Sequence, residues 1–182
     1  TSERDYDFDI IVYATGFEPE ITPLARRAGH EIVGRGGVPL AARWADGPTS
    51  LFGMMVHGFP NLFVMPSPAQ QAVVTVNYTQ LAVFGAGFVG RTVAQLEVRG
   101  ARCFEVAAEA EQEWTDTIVG FYVDGSRVMS ACTPSRINQE GHPESLSPRN
   151  GNYGRGLGDY FAYRERLEGW LADGELAGLE VE

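Results

Sequence analysis

Residues 77–100 read NYTQLAVFGAGFVGRTVAQLEVRG, and two folds compete for them. In the first, Leu81, Phe84, Phe88 and Val89, Val93 and Leu96 fall at helical spacings, Asn77 or Thr79 caps the start, and Arg99-Gly100 stops the helix. In the second, Gly85, Gly87 and Gly90 form a G-x-G-x-x-G fingerprint, which needs a strand ending at Gly85 and a helix beginning there with its positive end on a pyrophosphate. That reading makes residues 80–84 a strand, 91–99 a helix and 101–106 a second strand. It then wants an acid on the ribose, yet Ala107 occupies the expected position, and Glu105 and Glu109 flank it two residues to either side. A glycine inside a helix costs only about 1 kcal/mol relative to alanine, so one uninterrupted helix is the reading adopted here. A NAD-binding Rossmann module built on Gly85, Gly87 and Gly90 is the alternative.

Working outward, the run DIIVYATGFE (residues 9–18) is apolar and β-branched, bounded by Asp9 and Gly16, and predicts a buried strand central in a parallel sheet. Residues 19–60 carry Pro and Gly at short intervals and predict short strands and turns, among them 31–33 and 51–56. Residues 61–65 predict a further strand before the Pro66-Ser67-Pro68 turn. After the strand at 101–106, Glu109 opens a second helix with Trp114, Ile118 and Phe121 on one face. Residues 133–158 have no periodicity, and a stretch of that composition inside a compact protein is disordered or functional. Asp159 then caps a helix carrying Tyr160, Tyr163, Leu167 and Trp170 on one side, and Gly174 ends it.

The whole chain has 182 residues, with 14 Lys+Arg against 24 Asp+Glu; no residue is Lys, so every basic side chain other than histidine is Arg. A net charge of -10 repels phosphate backbones and anionic lipid, which argues against nucleic-acid and membrane-surface partners. No uninterrupted apolar run approaches the roughly 18 residues that span a bilayer. Cys103 and Cys132 belong to no ligand-spaced cluster, so no metal site or disulfide framework is expected, and a reducing cytoplasm fits. Trp44 and Trp114 read as core anchors and His57 as a structural group, while His30 and His142 have no legible partner. The absent initiator Met and the early strand lead us to expect a chain cut from a longer one.

Four pieces together resemble one family: YATGF at Tyr13 to Phe17; GRGGVPLAARWADGP at Gly34 to Pro48 followed by GMMVHGFPNLFVM at Gly53 to Met65; the helix from Asn77 with RGAR and EAEQEW, Arg99 to Trp114; and CTPSRINQEG at Cys132 to Gly141 with the tail DYFAYRERLEGWLADGELAGLEVE. The chain resembles the C-terminal part of a flavin-dependent Baeyer–Villiger monooxygenase of the subgroup acting on large or polycyclic ketones, within the two-dinucleotide-binding flavoproteins. Ser135, Arg136 and Ile137 depart from that subgroup, which usually has Gly followed by aromatic residues there. The resemblance implies an α/β fold, the C-terminal portion of an FAD-binding domain with a long C-terminal loop and terminal helix. It divides the chain into a return strand from the NADPH domain (1–20), the end of the FAD domain (21–132), and a loop and helix over the active site (133–182). It implies FAD and NADPH as cofactors, with Ala14, Thr15, Gly16, Pro66, Ser67, Gln70 and Gln71 near them, the two glutamines as donors to the flavin edge. Ser135, Arg136, Ile137 and Asn138 belong to a loop closing over substrate and nicotinamide, where closure keeps water from the reactive cofactor. The implied reaction inserts one oxygen atom from O2 beside a ketone carbonyl, giving an ester or lactone. The catalytic Arg and both dinucleotide fingerprints are expected upstream in a missing N-terminal portion, so the chain alone is expected to be inactive. Oxygenation of nitrogen or sulfur, as in flavin-containing monooxygenases, is the rival within enzymes.

Overall fold

The computed structural model describes residues 4–14, 28–67, 69–155 and 158–182. Its helices are α1 (Leu40–Arg43), α2 (Tyr78–Val98), α3 (Ala108–Phe121), α4 (Ser126–Met129) and α5 (Tyr160–Asp173), and its strands are β1 (Phe104–Val106) and β2 (Leu179–Val181). Residues 77–100 are one helix. Asn77 Oδ1 accepts from the Thr79 N–H at 2.9 Å, and Gly100 stops it with φ +70°. Leu81, Gly85, Phe88, Thr92 and Leu96 form its buried stripe, with Val93 turned outward. No strand ends at Gly85, so the dinucleotide fingerprint has no strand–turn–helix to act through, and the NAD-binding alternative falls.

The three glycines instead divide by environment. A Cβ on Gly85 would lie 2.6 Å from the Pro66 ring, whereas nothing lies within 4 Å of a Cβ on Gly87 or Gly90. Gly85 therefore lets the Pro66 turn pack directly on the helix. By length and composition α2 is apolar enough to cross a membrane, which a count of uninterrupted apolar runs misses because Thr, Gln and Gly punctuate it. Its buried stripe packs in the core against α5.

The core is aromatic. The Phe52 ring meets those of Phe88, Trp114 and Trp170 edge-on, with centroids 5.9, 5.0 and 5.4 Å away. Below it Tyr163, fully buried, donates its hydroxyl to the Phe52 carbonyl at 2.8 Å. Tyr163 and Leu167 of α5 lie in the same core as α2 and α3, so the terminal helix is not a separate layer. Trp114 is the core anchor expected; Trp44 packs half-buried on a smaller cluster of Leu40, Val56 and Phe59 and donates Nε1 to the Thr49 carbonyl.

Strand expectations fare less well. β1 pairs antiparallel with β2, Glu105 opposite Glu180, the one two-stranded sheet among the described residues. Residues 61–65 are irregular, because Asn61 N–H goes to Phe104 and Val64 N–H to Met54 instead of to a continuous ladder. Segments 31–33 and 51–56 contribute only isolated bridges, Val33 with Pro39 and Leu51 with Met55. The described part of the predicted central strand, 9–14, forms no strand and is exposed, Ile10 at 80% and Val12 at 79%. A strand buried on both faces needs neighbours on both edges, and none of the described residues provides one.

Two consequences are measurable. Gly85→Ala should destabilise the fold by about 1–3 kcal/mol through overpacking on Pro66, while Gly87→Ala on the open face should be neutral or stabilising by up to about 1 kcal/mol; urea denaturation reads both, and equal effects would contradict the packing described. Burial raises the Tyr163 phenol far above its ordinary value of 10.0. Because the folded value is the higher one, this contribution is whole below about pH 10 and is lost as pH rises beyond it. Unfolding midpoints followed upward from about pH 9 should fall more steeply for the parent chain than for Tyr163→Phe.

Candidate functional site

The residues pointing to chemistry converge on the turn between Pro66 and the start of α2. Helix geometry leaves the first-turn N–H groups of Tyr78 and Gln80 without intrahelical acceptors, and no acidic residue occupies that turn. By contrast, Glu109 and Glu111 fill the first turn of α3. The α2 N-terminus is thus open to an electron-rich group. Thr75 and Asn77 are exposed there, on the wall of a cleft of about 840 Å³ whose other side is formed by Phe121, Tyr153 and Tyr160.

Just upstream, Ala69 and Gln71 have φ of +59° and +64°. Left-handed backbone at a non-glycine residue costs roughly 1–2 kcal/mol, and it persists only where surrounding groups over-determine it. They do so here. Gln71, fully buried, donates Nε2 to the Pro48 carbonyl at 2.7 Å and to Thr115 Oγ1 at 3.3 Å, and its Oε1 accepts from Ser50 Oγ at 2.8 Å. Its main-chain carbonyl takes the Trp114 indole N–H at 3.2 Å. Gln70 Nε2 binds the carbonyls of Gly53 and Met65 at 3.1 and 3.2 Å. The amide donors expected to meet a flavin edge are therefore engaged inside the protein, and these glutamines shape the turn. Pro66 is buried against α2, and Ser67 is buried with its hydroxyl unpartnered.

Residues 136–150 carry three short 3-10 turns: Arg136–Gly141, Pro143–Ser145 and Pro148–Asn150. Asn138, 1% exposed, organises the first. Its Oδ1 accepts from Ser135 and Gly141 N–H, and its Nδ2 donates to the carbonyls of Met129, Cys132 and Thr133. Asn138 thus braces the loop from within, and Ser135 caps it. The side chains of Arg136 and Ile137 lie outside the described set, as do Thr15 and Gly16; Ala14 is exposed.

Sequence reasoning missed the role of two carboxylates, Glu105, weighed there only as a ribose acid, and Glu111. Glu105 Oε2 pairs with Arg35 Nε at 2.5 Å while its Oε1 accepts from the Gly58 N–H at 3.0 Å. Glu111 pairs with Arg43 and accepts from the His57 N–H at 2.9 Å. Both clamp the His57-Gly58 turn and the small cluster around α1 onto α3 and β1. The His57 ring donates Nδ1–H to the Val106 carbonyl at 2.7 Å, since a carbonyl only accepts, and this supports the structural role expected of it. The acidic first turn of α3 was the legible signal; its long-range partners were not. Among the described residues no group of His, Cys, Asp or Glu is arranged to hold a metal.

No family profile matches the chain. It is 37% identical over 179 residues to pentalenolactone D synthase of Streptomyces arenae, 30% identical over 177 residues to an FAD-binding monooxygenase of Hypomyces subiculosus, and 31% identical over 179 residues to a Baeyer–Villiger monooxygenase of Stachybotrys chlorohalonatus. These matches cover 97–98% of the chain but only 28–30% of each relative, so the chain spans less than a third of the length of the curated relatives it matches. Its fold is similar to cyclohexanone monooxygenase from Rhodococcus sp. Phi1 bound to NADP+, with a TM-score of 0.74 at 30% identity over 97% of this chain and 31% of that one. It is also similar to polycyclic ketone monooxygenase from Thermothelomyces thermophila, with a TM-score of 0.71 at 29% identity over 87% of this chain and 25% of that one.

Replacing Gln71 by Ala tests its role directly. Removing a buried amide with several partners should destabilise the chain by about 2–4 kcal/mol in urea denaturation. A loss below about 0.5 kcal/mol accompanied by weakened flavin binding would restore the glutamine as a cofactor donor.

Proposed function

We propose that the chain, similar over nearly its whole length to FAD-binding and Baeyer–Villiger monooxygenases, supplies the cofactor-edge turn and the cover of an FAD- and NADPH-dependent enzyme that inserts one oxygen atom from O2 beside a ketone carbonyl, giving an ester or lactone. The observation carrying this reading is the over-determined left-handed turn at Ala69 and Gln71 placed before an acid-free helix N-terminus, in a chain similar over nearly its whole length to such monooxygenases. FAD, when bound, supplies the oxygen-activating redox chemistry. The chain's own residues shape and cover one side of the site. The open N–H groups at the start of α2 stabilise negative charge on the flavin's pyrimidine edge. The turn 66–72 fixes the distance of approach, with Pro66 seated on Gly85. Ala14, Thr15 and Gly16 contribute small residues near the cofactor, and the segment carrying Ser135, Arg136, Ile137 and Asn138 covers the ketone and excludes water. We place the protein in a reducing cytoplasm, which the free thiols of Cys103 and Cys132 support.

The purified whole flavoprotein should be yellow, oxidise NADPH faster in the presence of a cyclic ketone, and release the lactone in proportion to the NADPH used. Oxygenation of amines or sulfides without lactone formation would favour the rival reaction, and a colourless protein would end both. The 182-residue chain alone should give no turnover.

A further inference from the structure

The turn 69–72 is held from two directions, and only one belongs to its own neighbourhood. From the far side, Asn150 Nδ2 donates to the Ala69 carbonyl at 3.1 Å across 81 residues of sequence, and the Tyr153 N–H donates to the Ala72 carbonyl at 2.6 Å. Asn150 is itself oriented. Its Oδ1 accepts from the Ser147 N–H at 3.1 Å, closing a capping box over Pro148–Asn150. The strap bearing it is seated closely on both sides: a Cβ on Gly47 would fall 2.2 Å from Ser147 Oγ, and one on Gly151 would fall 3.1 Å from Ile118 Cγ2. Tyr153 stacks on Trp114 with ring centroids 5.0 Å apart and planes 5° from parallel, while Trp114 donates to the Gln71 carbonyl. Three of the four carbonyls in the turn are thus tied, two of them by the C-terminal strap.

We propose that Asn150 is a positioning residue: its side-chain N–H holds Ala69 in the left-handed conformation, and so sets the geometry in which the turn meets the flavin and the ketone. The strap is then part of the cofactor's seat as well as part of the cover. This rests on the monooxygenase reading above. The donor is what matters, because the oxygen of the same amide serves only the local capping box.

The test compares Asn150→Asp with the parent in the whole flavoprotein. The aspartate keeps an oxygen for the Ser147 N–H but has no N–H for Ala69; Asn150→Ala, which removes both bonds, is the second variant. Asn150→Asp should speed amide hydrogen exchange in peptides covering residues 69–73 by tenfold or more, with exchange in α3 unchanged. It should also alter the visible circular dichroism of the bound flavin and lower kcat/KM for the ketone at least fivefold. Unchanged exchange at 69–73 in both variants would overturn the proposal, as would faster exchange with the flavin spectrum and kinetics of the parent. If Asn150→Asp does not fold, Asn150→Ala carries the same readouts. An unsubstituted protein without flavin defeats the monooxygenase reading itself, and that result is recorded before any variant is made.

Discussion

The fold depends on keeping one short turn in a conformation its residues disfavour. Ala69 and Gln71 both sit in left-handed backbone without being glycine, and together that costs on the order of 2–4 kcal/mol. Elements far apart in sequence then contribute the restraints. The 48–53 segment holds the glutamine side chains, α3 contributes Trp114 and Thr115, and the 147–153 strap binds the flanking carbonyls. Glycine at either position would relieve the strain but leave the turn free to sample other shapes. Alanine and glutamine, once trapped, specify a single shape.

The two glutamates act one shell further out. By joining Arg35 and Arg43 to the backbone of His57 and Gly58, Glu105 and Glu111 fasten the 34–59 region to α3 and β1. Arginines that keep part of their surface in solvent, paired with buried carboxylates, gain from charge-assisted hydrogen bonds, and each carboxylate also accepts a main-chain N–H, from His57 or Gly58. Their contribution is positional: they fix the segment from which Ser50 and Pro48 reach Gln71.

What was legible in the sequence is what local rules control. The helices from Asn77 and Asp159 were readable because capping, periodicity and a terminal glycine agree within each segment, whereas α3 was readable from periodicity and its acidic first turn alone, since Ala107 supplies no side-chain cap and Tyr122 follows its end. The glycine fingerprint offered a rival reading because three small residues can satisfy a motif and a helix equally well; the Pro66 contact shows what one of them, Gly85, is for. Residues 133–158 read as featureless because their order comes from side-chain amides, Asn138 and Asn150, whose bonds leave no periodic trace. The functional turn was least legible. Its residue types, Ala and Gln, give no hint of positive φ, and the partners that enforce it lie tens of residues away. The described part of the strand expected at 9–18, residues 9–14, finds no partner, because composition marks a segment as fit for burial without showing what would bury it.

The long-range bonds from Asn150 and Tyr153 also bear on the order of folding. A chain made from its N-terminus has Ala69 and Ala72 long before their partners, which lie 81 residues later in each case, Tyr153 after Ala72 and Asn150 after Ala69. Until the strap arrives and docks, the turn lacks the contacts that offset its strain, and it will sample the right-handed and extended states its residues prefer. Such distant pairings form slowly because the loop between them must first be closed. The turn is therefore among the last parts of this segment to mature, later than the helices whose contacts are local.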